Sequence, residues 1–235
     1  MLDGPEGRHA ATVRRMRVGE RLLLTDGHGG LADCTVTVVG RDRLDLHVSE
    51  RRQLDPASPP VTVVQALAKG DRAELAVELT TEAGVDVLVP WQAARCVARW
   101  NADRAERGAQ RWRAVAAQAA KQSRRAHVPG VHELHSTTGV AALVRATIDG
   151  GGIALLLHEA AAAGLGALEL TGVRSVLLVV GPEGGIDDAE VAALSDAGAR
   201  AVRLGPTVLR TSTAAAVALG ALGVLTARWD RPPLV

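Results

Sequence analysis

The sequence predicts an α/β domain built on a parallel sheet, preceded by a small antiparallel β module. Three observations carry this. Residues 1–55 hold short β-like runs separated by glycine-rich or polar turns. After residue 60 the pattern changes to apolar strand-like runs alternating with helical periodicity. Two late strand-like runs, ending at Val180 and Leu204, each stop at a glycine turn and then enter a helix. Loops at the carboxyl ends of parallel strands are where open α/β sheets bind ligands.

In the first module the strand-like runs are Arg21–Leu24, Thr35–Val39 and Leu44–Val48, with the turn Asp26-Gly27-His28-Gly29-Gly30 between the first two. The segment from Asp55 to Pro60 reads as a linker, so the second domain covers residues 61–235. It opens with a strand at Val61–Ala66. A helix follows from Asp71 to Ala83, with Gly84 placed to end it. Val85–Val89 reads as a strand ended by Pro90. The segment from Asp103 to Arg125 is amphipathic: Arg104, Arg107, Arg111, Gln118 and Arg125 form one stripe, and Trp112, Val115, Ala116 and Ala119 another. Ile153–Leu157 is a strand leading into His158-Glu159. Asp187 and Glu190 form a capping box for the helix after the glycine turn, and Thr211 or Ser212 can cap the last helix. From Ala214 to Leu225 that helix has no polar face, which implies burial on every side, a subunit interface included.

Composition narrows the function classes. The chain has 235 residues, is 47% apolar and carries a net charge of +1. It contains no Phe and no Tyr, so Val, Leu and Ala must build the core. Residues 95–131 hold nine Lys or Arg against two acids, a local asymmetry that fits a polyanion footprint. Cys34 and Cys96 lack ligand-like spacing, which argues against a disulfide framework or a zinc site. His132 and His135 have the spacing of a helical metal pair but lie in a β- or loop-like stretch with no third ligand, so no metal is expected. The longest apolar run is too short to span a bilayer, and no signal-peptide pattern opens the chain. The chain reads as soluble and cytoplasmic, without a membrane partner.

The loop Gly181-Pro182-Glu183-Gly184-Gly185 narrows the ligand. Its glycines allow backbone to come close to a flat group. A phosphate cradle would carry the Lys-Ser/Thr or G-x-G-x-x-G pattern, and neither is present. Glu183 would repel a polyphosphate. The loop suits a neutral or cationic ligand, such as an adenosine bearing a sulfonium; a plain strand-to-helix turn is the alternative.

Taken with Arg203 to Ala214, this loop resembles the RsmE-like family of SPOUT methyltransferases. The resemblance extends to His9–Glu20 with Asp26-Gly27, to Lys69-Gly70-Asp71-Arg72 with Thr81–Val85, and to Gln122-Ser123-Arg124-Arg125 with Val128-Pro129. Two departures stand out. Ser212 replaces the glutamate usual in the family's last block, and the chain begins almost at the opening block, without the family's usual short extra strand, so either the first barrel lacks an edge or the true start lies upstream.

The resemblance implies a PUA-like RNA-binding barrel over 1–55 and a SPOUT-type knotted α/β methyltransferase domain, working as a homodimer. It implies S-adenosyl-L-methionine as methyl donor and, as substrate, N3 of a uridine in 16S rRNA of the 30S subunit or its precursor, conventionally position 1498. Cofactor contacts are expected at Leu157 and His158, at Gly181, Pro182, Glu183, Gly184 and Gly185, at Leu204 and Gly205, and at Leu209, Arg210, Thr211, Ser212 and Thr213. RNA contacts are expected at Arg14, Arg15, Arg17, Arg104, Arg107, Arg111, Arg124 and Arg125. Uracil N3 must lose its proton before it attacks, and a fixed cation is well suited to stabilise the charge on O2 and O4. Arg210 fits that role, while a carboxylate could instead remove the proton, Glu183 being the candidate although a loop-holding role suits it better. The alternatives are ribose 2′-O-methylation on the same fold, and an RNA-binding assembly factor without catalysis.

Overall fold

A computed structural model describes all residues except Arg231, Pro233 and Val235. The chain divides into two compact units, Met1–Pro56 and Ala57–Val235.

The first unit is a three-stranded antiparallel sheet of β1 (Arg21–Thr25), β2 (Gly30–Val39) and β3 (Leu44–Gln53), in that order. The β1–β2 turn is held by Asp26, whose Oδ1 accepts from the N–H groups of His28 at 2.7 Å and Gly30 at 2.9 Å. These backbone bonds, that to His28 first, hold the carboxyl below its ordinary pKa. Periodicity did not predict what precedes the sheet: a short helix α1 (Gly4–Arg8) running into a π-helical turn, His9–Val13. Ahead of the sheet, Leu2 exchanges both backbone hydrogen bonds with Leu44 as an isolated bridge. Ala10, Met16, Val36 and Leu44 form this unit's small core.

In the second unit a six-stranded parallel sheet runs in the order β9-β7-β8-β4-β5-β6, read from one edge. Its strands are β4 (Val61–Ala66), β5 (Val87–Trp91), β6 (Gly130–Val131), β7 (Ile153–Leu157), β8 (Val176–Val180) and β9 (Arg200–Val202). Strand β8 is buried at every position, as a central parallel strand covered on both faces should be. The helices are α2 (Arg72–Glu82), α3 (Ala102–Gln122), α4 (Thr137–Asp149), α5 (Asp188–Asp196) and α6 (Thr211–Leu225).

Several expectations shift. Strand β5 passes through Pro90 instead of ending before it. His132 N–H donates to Leu88 O and His135 N–H to Pro90 O, so these even positions face β6 and the His135 segment. The N–H that proline lacks falls on that side, and the β4 ladder is undisturbed. Helix α3 ends at Gln122, with Arg124 in the left-handed region at φ 55°. The arginine stripe therefore does not extend to Arg125. Helix α4, capped by Ser136, was not anticipated. The Asp187/Glu190 capping box is present, and Gly84 and Gly198 follow their helices at positive φ.

Helix α6 departs most from its sequence reading. Ala215, Ala218, Leu219 and Leu222 are buried, but Val217, Val224 and Leu225 are exposed. Its neighbours within the chain cover only part of it. The following turn, Ala227–Trp229, is tied back by Arg228, one of the few buried charged side chains. Its guanidinium donates to Asp86 Oδ2 at 2.9 Å and to the carbonyls of Pro59 and Gly84. Asp86 Oδ2 also accepts from Val61 N–H at 2.8 Å. One arginine thus joins the start of β4, the α2–β5 turn and the end of α6. Breaking such a pair strands the remaining charge. Arg228→Ala should lower stability by about 3–5 kcal/mol in urea unfolding, without altering the slope against denaturant.

Candidate functional site

The parallel strands β4, β8, β7 and β9 lie side by side, so their carboxyl-end loops share one edge of the sheet. Three of these are the loops singled out in the sequence: 158–164 after β7, 181–187 after β8 and 203–210 after β9. The fourth, 67–71 after β4, joins them.

Hydrogen bonds tie the four together. His158 N–H donates to Val202 O at 3.0 Å, and Leu165 N–H to Arg203 O at 2.9 Å. Arg203 N–H returns a bond to Ala163 O at 2.9 Å, and its guanidinium donates to Ala161 O at 2.8 Å. Thr211 Oγ1 donates to Gly181 O at 2.5 Å, which joins the third loop to the second. Glu183 Oε1 accepts from Lys69 N–H at 3.1 Å, joining the β4 loop.

The glycine turn is shaped by its own backbone. A Cβ on Gly181 would lie 2.5 Å from Ile186 Cγ1, and Gly185 has φ +74°. Both require glycine. Pro182 is buried, whereas Glu183 and Gly184 are exposed. The side of Gly184 that a Cβ would occupy faces Arg95 Cβ at 3.4 Å, so that side belongs to a neighbouring protein loop. Gly205 is different: nothing lies within 4 Å of its Cβ direction.

A network the sequence reading missed supports the turn from behind. Glu190 is buried, and its Oε1 accepts from Ala94 N–H at 2.9 Å and from Thr137 Oγ1 at 2.7 Å. Trp91 Nε1 donates to Thr137 Oγ1 at 3.2 Å. Arg95 pairs with Asp187 at 3.2 Å. The capping box was read as local, yet its glutamate also fixes the loop after β5 and the start of α4. Glu190 shares the first turn of α5 with Asp188, so nothing in the sequence marks this one carboxylate as buried and long-range.

The predicted side chains divide by exposure. Leu157, Leu204 and Leu209 are half-buried and pack on the core, leaving their backbones at the loop edge. His158 is half-buried and its Nδ1 accepts from Ala160 N–H at 3.3 Å. Thr211 and Ser212 are buried. Neither caps α6: the N-cap is Arg210, without a side-chain cap, because the Thr211 hydroxyl is drawn to Gly181. Thr213 Oγ1 donates to Arg210 O at 3.1 Å. The Arg210 side chain is exposed. It stands at the positive end of α6, where a developing anion is favoured.

The expected RNA-contacting arginines also separate. Arg14, Arg15 and Arg17 are exposed on the first unit, with Arg15 at φ 53°. Arg104, Arg107 and Arg124 are exposed on the second. Arg107 Nε donates to Asp103 O at 3.1 Å, and Arg111 pairs with Glu74 at 2.6 Å. Arg125 turns inward: its guanidinium donates to Thr81 O at 2.7 Å, and burial pushes its pKa down against the opposing pull of Asp86. It braces the α2 carboxyl end. His132 and His135 have ring centroids 6.3 Å apart, and no group of three potential metal ligands is found among the described residues.

The RNA methyltransferase domain family matches residues 56–223, and the RNA methyltransferase PUA domain family matches residues 2–49. This chain belongs to the ribosomal RNA small subunit methyltransferase E family. It is 57% identical over 230 residues to the protein of that name from Mycobacterium bovis, covering 98% of this chain and 88% of the relative. The Bacillus subtilis protein is 32% identical over 232 residues, covering 96% and 90%. Among solved structures, the Neisseria gonorrhoeae methyltransferase E bound to S-adenosyl methionine superposes with TM-score 0.82 at 26% identity, covering 95% of this chain and 91% of that one. A putative methyltransferase from Legionella pneumophila in complex with the bound cofactor SAM gives 0.80 at 27%, covering 93% and 88%. This chain is thus an RNA methyltransferase of the α/β SPOUT type, and S-adenosylmethionine is its methyl donor.

The loop edge fits that donor: glycine backbone can approach a flat base, no Lys-Ser/Thr cradle is present, and the Gly205 side is open. Gly205→Val should leave the fold intact, because its Cβ meets nothing, and weaken S-adenosylmethionine binding at least about tenfold by calorimetry.

Proposed function

We propose that this chain methylates N3 of a uridine in 16S rRNA, at the position conventionally numbered 1498, on the 30S subunit or its precursor. The enzyme acts in the cytoplasm as a homodimer whose C-terminal loops are threaded in a trefoil knot. Its first unit is a PUA-like RNA-binding module.

The observation that carries this reading is Arg210. Its guanidinium is exposed at the start of α6, directly before the residue that anchors the glycine loop. S-adenosylmethionine supplies an activated methyl group. The protein's task is to hold the uracil N3 in line and stabilise charge on O2 and O4 as the N3 proton leaves. A planar cation carried at a helix start is suited to this. Glu183 is already engaged by Lys69 N–H, which favours a loop-holding role. Ser212 is buried at the first turn of α6, and the proposed mechanism assigns it no proton transfer.

Arg14, Arg15, Arg17, Arg104, Arg107 and Arg124 are the proposed phosphate contacts. Arg111, held by Glu74, and Arg125, held by Thr81, are weaker candidates. Mass spectrometry of 16S rRNA nucleosides with and without the gene product decides the function: 3-methyluridine supports it, a 2′-O-methylated product favours the ribose reading, and no change favours a binding factor. Arg210→Ala should slow single-turnover methyl transfer on 30S subunits by about 10²–10³ while cofactor affinity holds. Arg210→Lys should recover little.

The homodimer reading rests on α6. Val217, Val224 and Leu225 leave an apolar face uncovered by this chain's described residues, next to the exposed Trp229. Ala218 is unsuitable as a probe because it packs inside the subunit. Val224→Glu should keep the subunit folded and shift light scattering from dimer to monomer; a monomeric wild type at micromolar concentration would remove the interface.

A further inference from the structure

Strand β4 carries one side chain that its apolar surroundings do not explain. Gln65 is 0% exposed at the carboxyl end of a central strand otherwise built mainly of Val and Ala. Its Nε2 donates to Thr211 Oγ1 at 3.1 Å and to Ala66 O at 3.3 Å. Thr211 Oγ1 in turn donates to Gly181 O at 2.5 Å. A hydroxyl has a single proton. Thr211 gives its proton to Gly181, so it can only accept from Gln65. That fixes the amide: nitrogen toward Thr211, oxygen away. A flipped amide would set two acceptors against each other. The consequence is Gln65 Oε1, which is buried and has no hydrogen-bond partner among the described residues. A leucine of similar shape would avoid that cost. The amide must therefore return something that packing cannot.

We propose that Gln65 is a positioning residue for the cofactor site, holding the Thr211 hydroxyl on the Gly181 carbonyl and so fixing the glycine loop against the start of α6. The proposal rests on the cofactor-site reading given above. Both ends of the relay matter to it. Gly181 opens the glycine turn and is packed tightly against Ile186, so movement of its carbonyl passes into the whole turn. Thr211 directly follows Arg210, so the same bond sets where that guanidinium begins. Without Gln65 the Thr211 hydroxyl is free to choose another staggered rotamer or acceptor. With it, donation to Gly181 is the one arrangement that serves both groups.

The test uses full-length Gln65→Leu, Thr211→Val, the double variant and Thr211→Ser, with chemical unfolding and S-adenosylmethionine calorimetry on each. Gln65→Leu should fold with stability close to wild type, since it removes an unpaired acceptor, and bind the cofactor about tenfold more weakly. Thr211→Val should show the same loss. The double variant should be no weaker than either single, because both cut one chain. Thr211→Ser keeps the hydroxyl and should stay near wild type. Gln65→Met serves the same purpose where Gln65→Leu does not fold. Affinity within about twofold of wild type in Gln65→Leu or its Met counterpart, at any stability, overturns the proposal. So do single defects that multiply to about 100-fold in the double. Gly205→Val separates this failure from that of the site itself: if it too binds normally, the cofactor lies elsewhere; if it loses binding while Gln65→Leu does not, only the relay is wrong.

Discussion

The arrangement of the loop edge depends on a single constraint: the last helix must return to the sheet and meet β8 at Gly181. Thr211 makes that meeting with the only proton its hydroxyl has, and Gln65 supports it from β4. Three segments distant in sequence are thereby set at one point. The remaining connections, Arg203 with the 158–164 loop and Glu183 with Lys69, fix the two sides of the same edge. Arg228 performs the corresponding task at the far end of α6, where it gathers Pro59, Gly84 and Asp86. The helix has an almost featureless apolar sequence, so specific polar contacts at its two ends set its position and packing alone does not.

Strands and glycine turns were legible because they depend on local rules. Ile153–Leu157 and Val61–Ala66 match to the residue, and Gly84 and Gly198 end their helices as glycines at positive φ do. Pro90 misled because the rule against proline in strands holds only where the N–H faces a ladder, and here it faces the short β6 side. Helix α6 misled in another way. An all-apolar helix says that every side wants cover, but the sequence does not say which side the same chain supplies. Thr211 looked like a cap because Ser and Thr before apolar runs usually are; its long-range partner Gly181 was invisible to any local window. Gln65 was in plain view as the lone amide in an apolar strand, yet nothing in the sequence named its partner.

Counting charges along residues 95–131 treated every arginine as equivalent. The fold separates them. Arg95, Arg111 and Arg113 each meet a carboxylate, and Arg125 is turned inward to Thr81. What the surplus leaves for a polyanion is therefore smaller than the sequence count, and its exposed arginines are Arg99, Arg104, Arg107 and Arg124. Exposed pairs of this kind are individually weak, so Arg111 can leave Glu74 for a phosphate at small cost, whereas Arg125 would have to give up a buried carbonyl. Position in the fold, more than residue type, decides which arginines are available to RNA.

The same reasoning bears on Ser212. It is buried beside Thr211 in the first turn of α6. A serine keeps the site small and neutral, and leaves the positive end of α6 uncompensated. The hydrogen bond from Lys69 N–H does not remove the Glu183 carboxylate from the neighbouring loop, so the proposed anion stabilisation falls to Arg210 and the helix terminus together. An electropositive site of this kind lowers the cost of losing the N3 proton as well as the cost of the transfer that follows. On this argument, the N3 proton can pass to water without a dedicated protein base, and the edge's part is to stabilise the anion that remains for the methyl transfer.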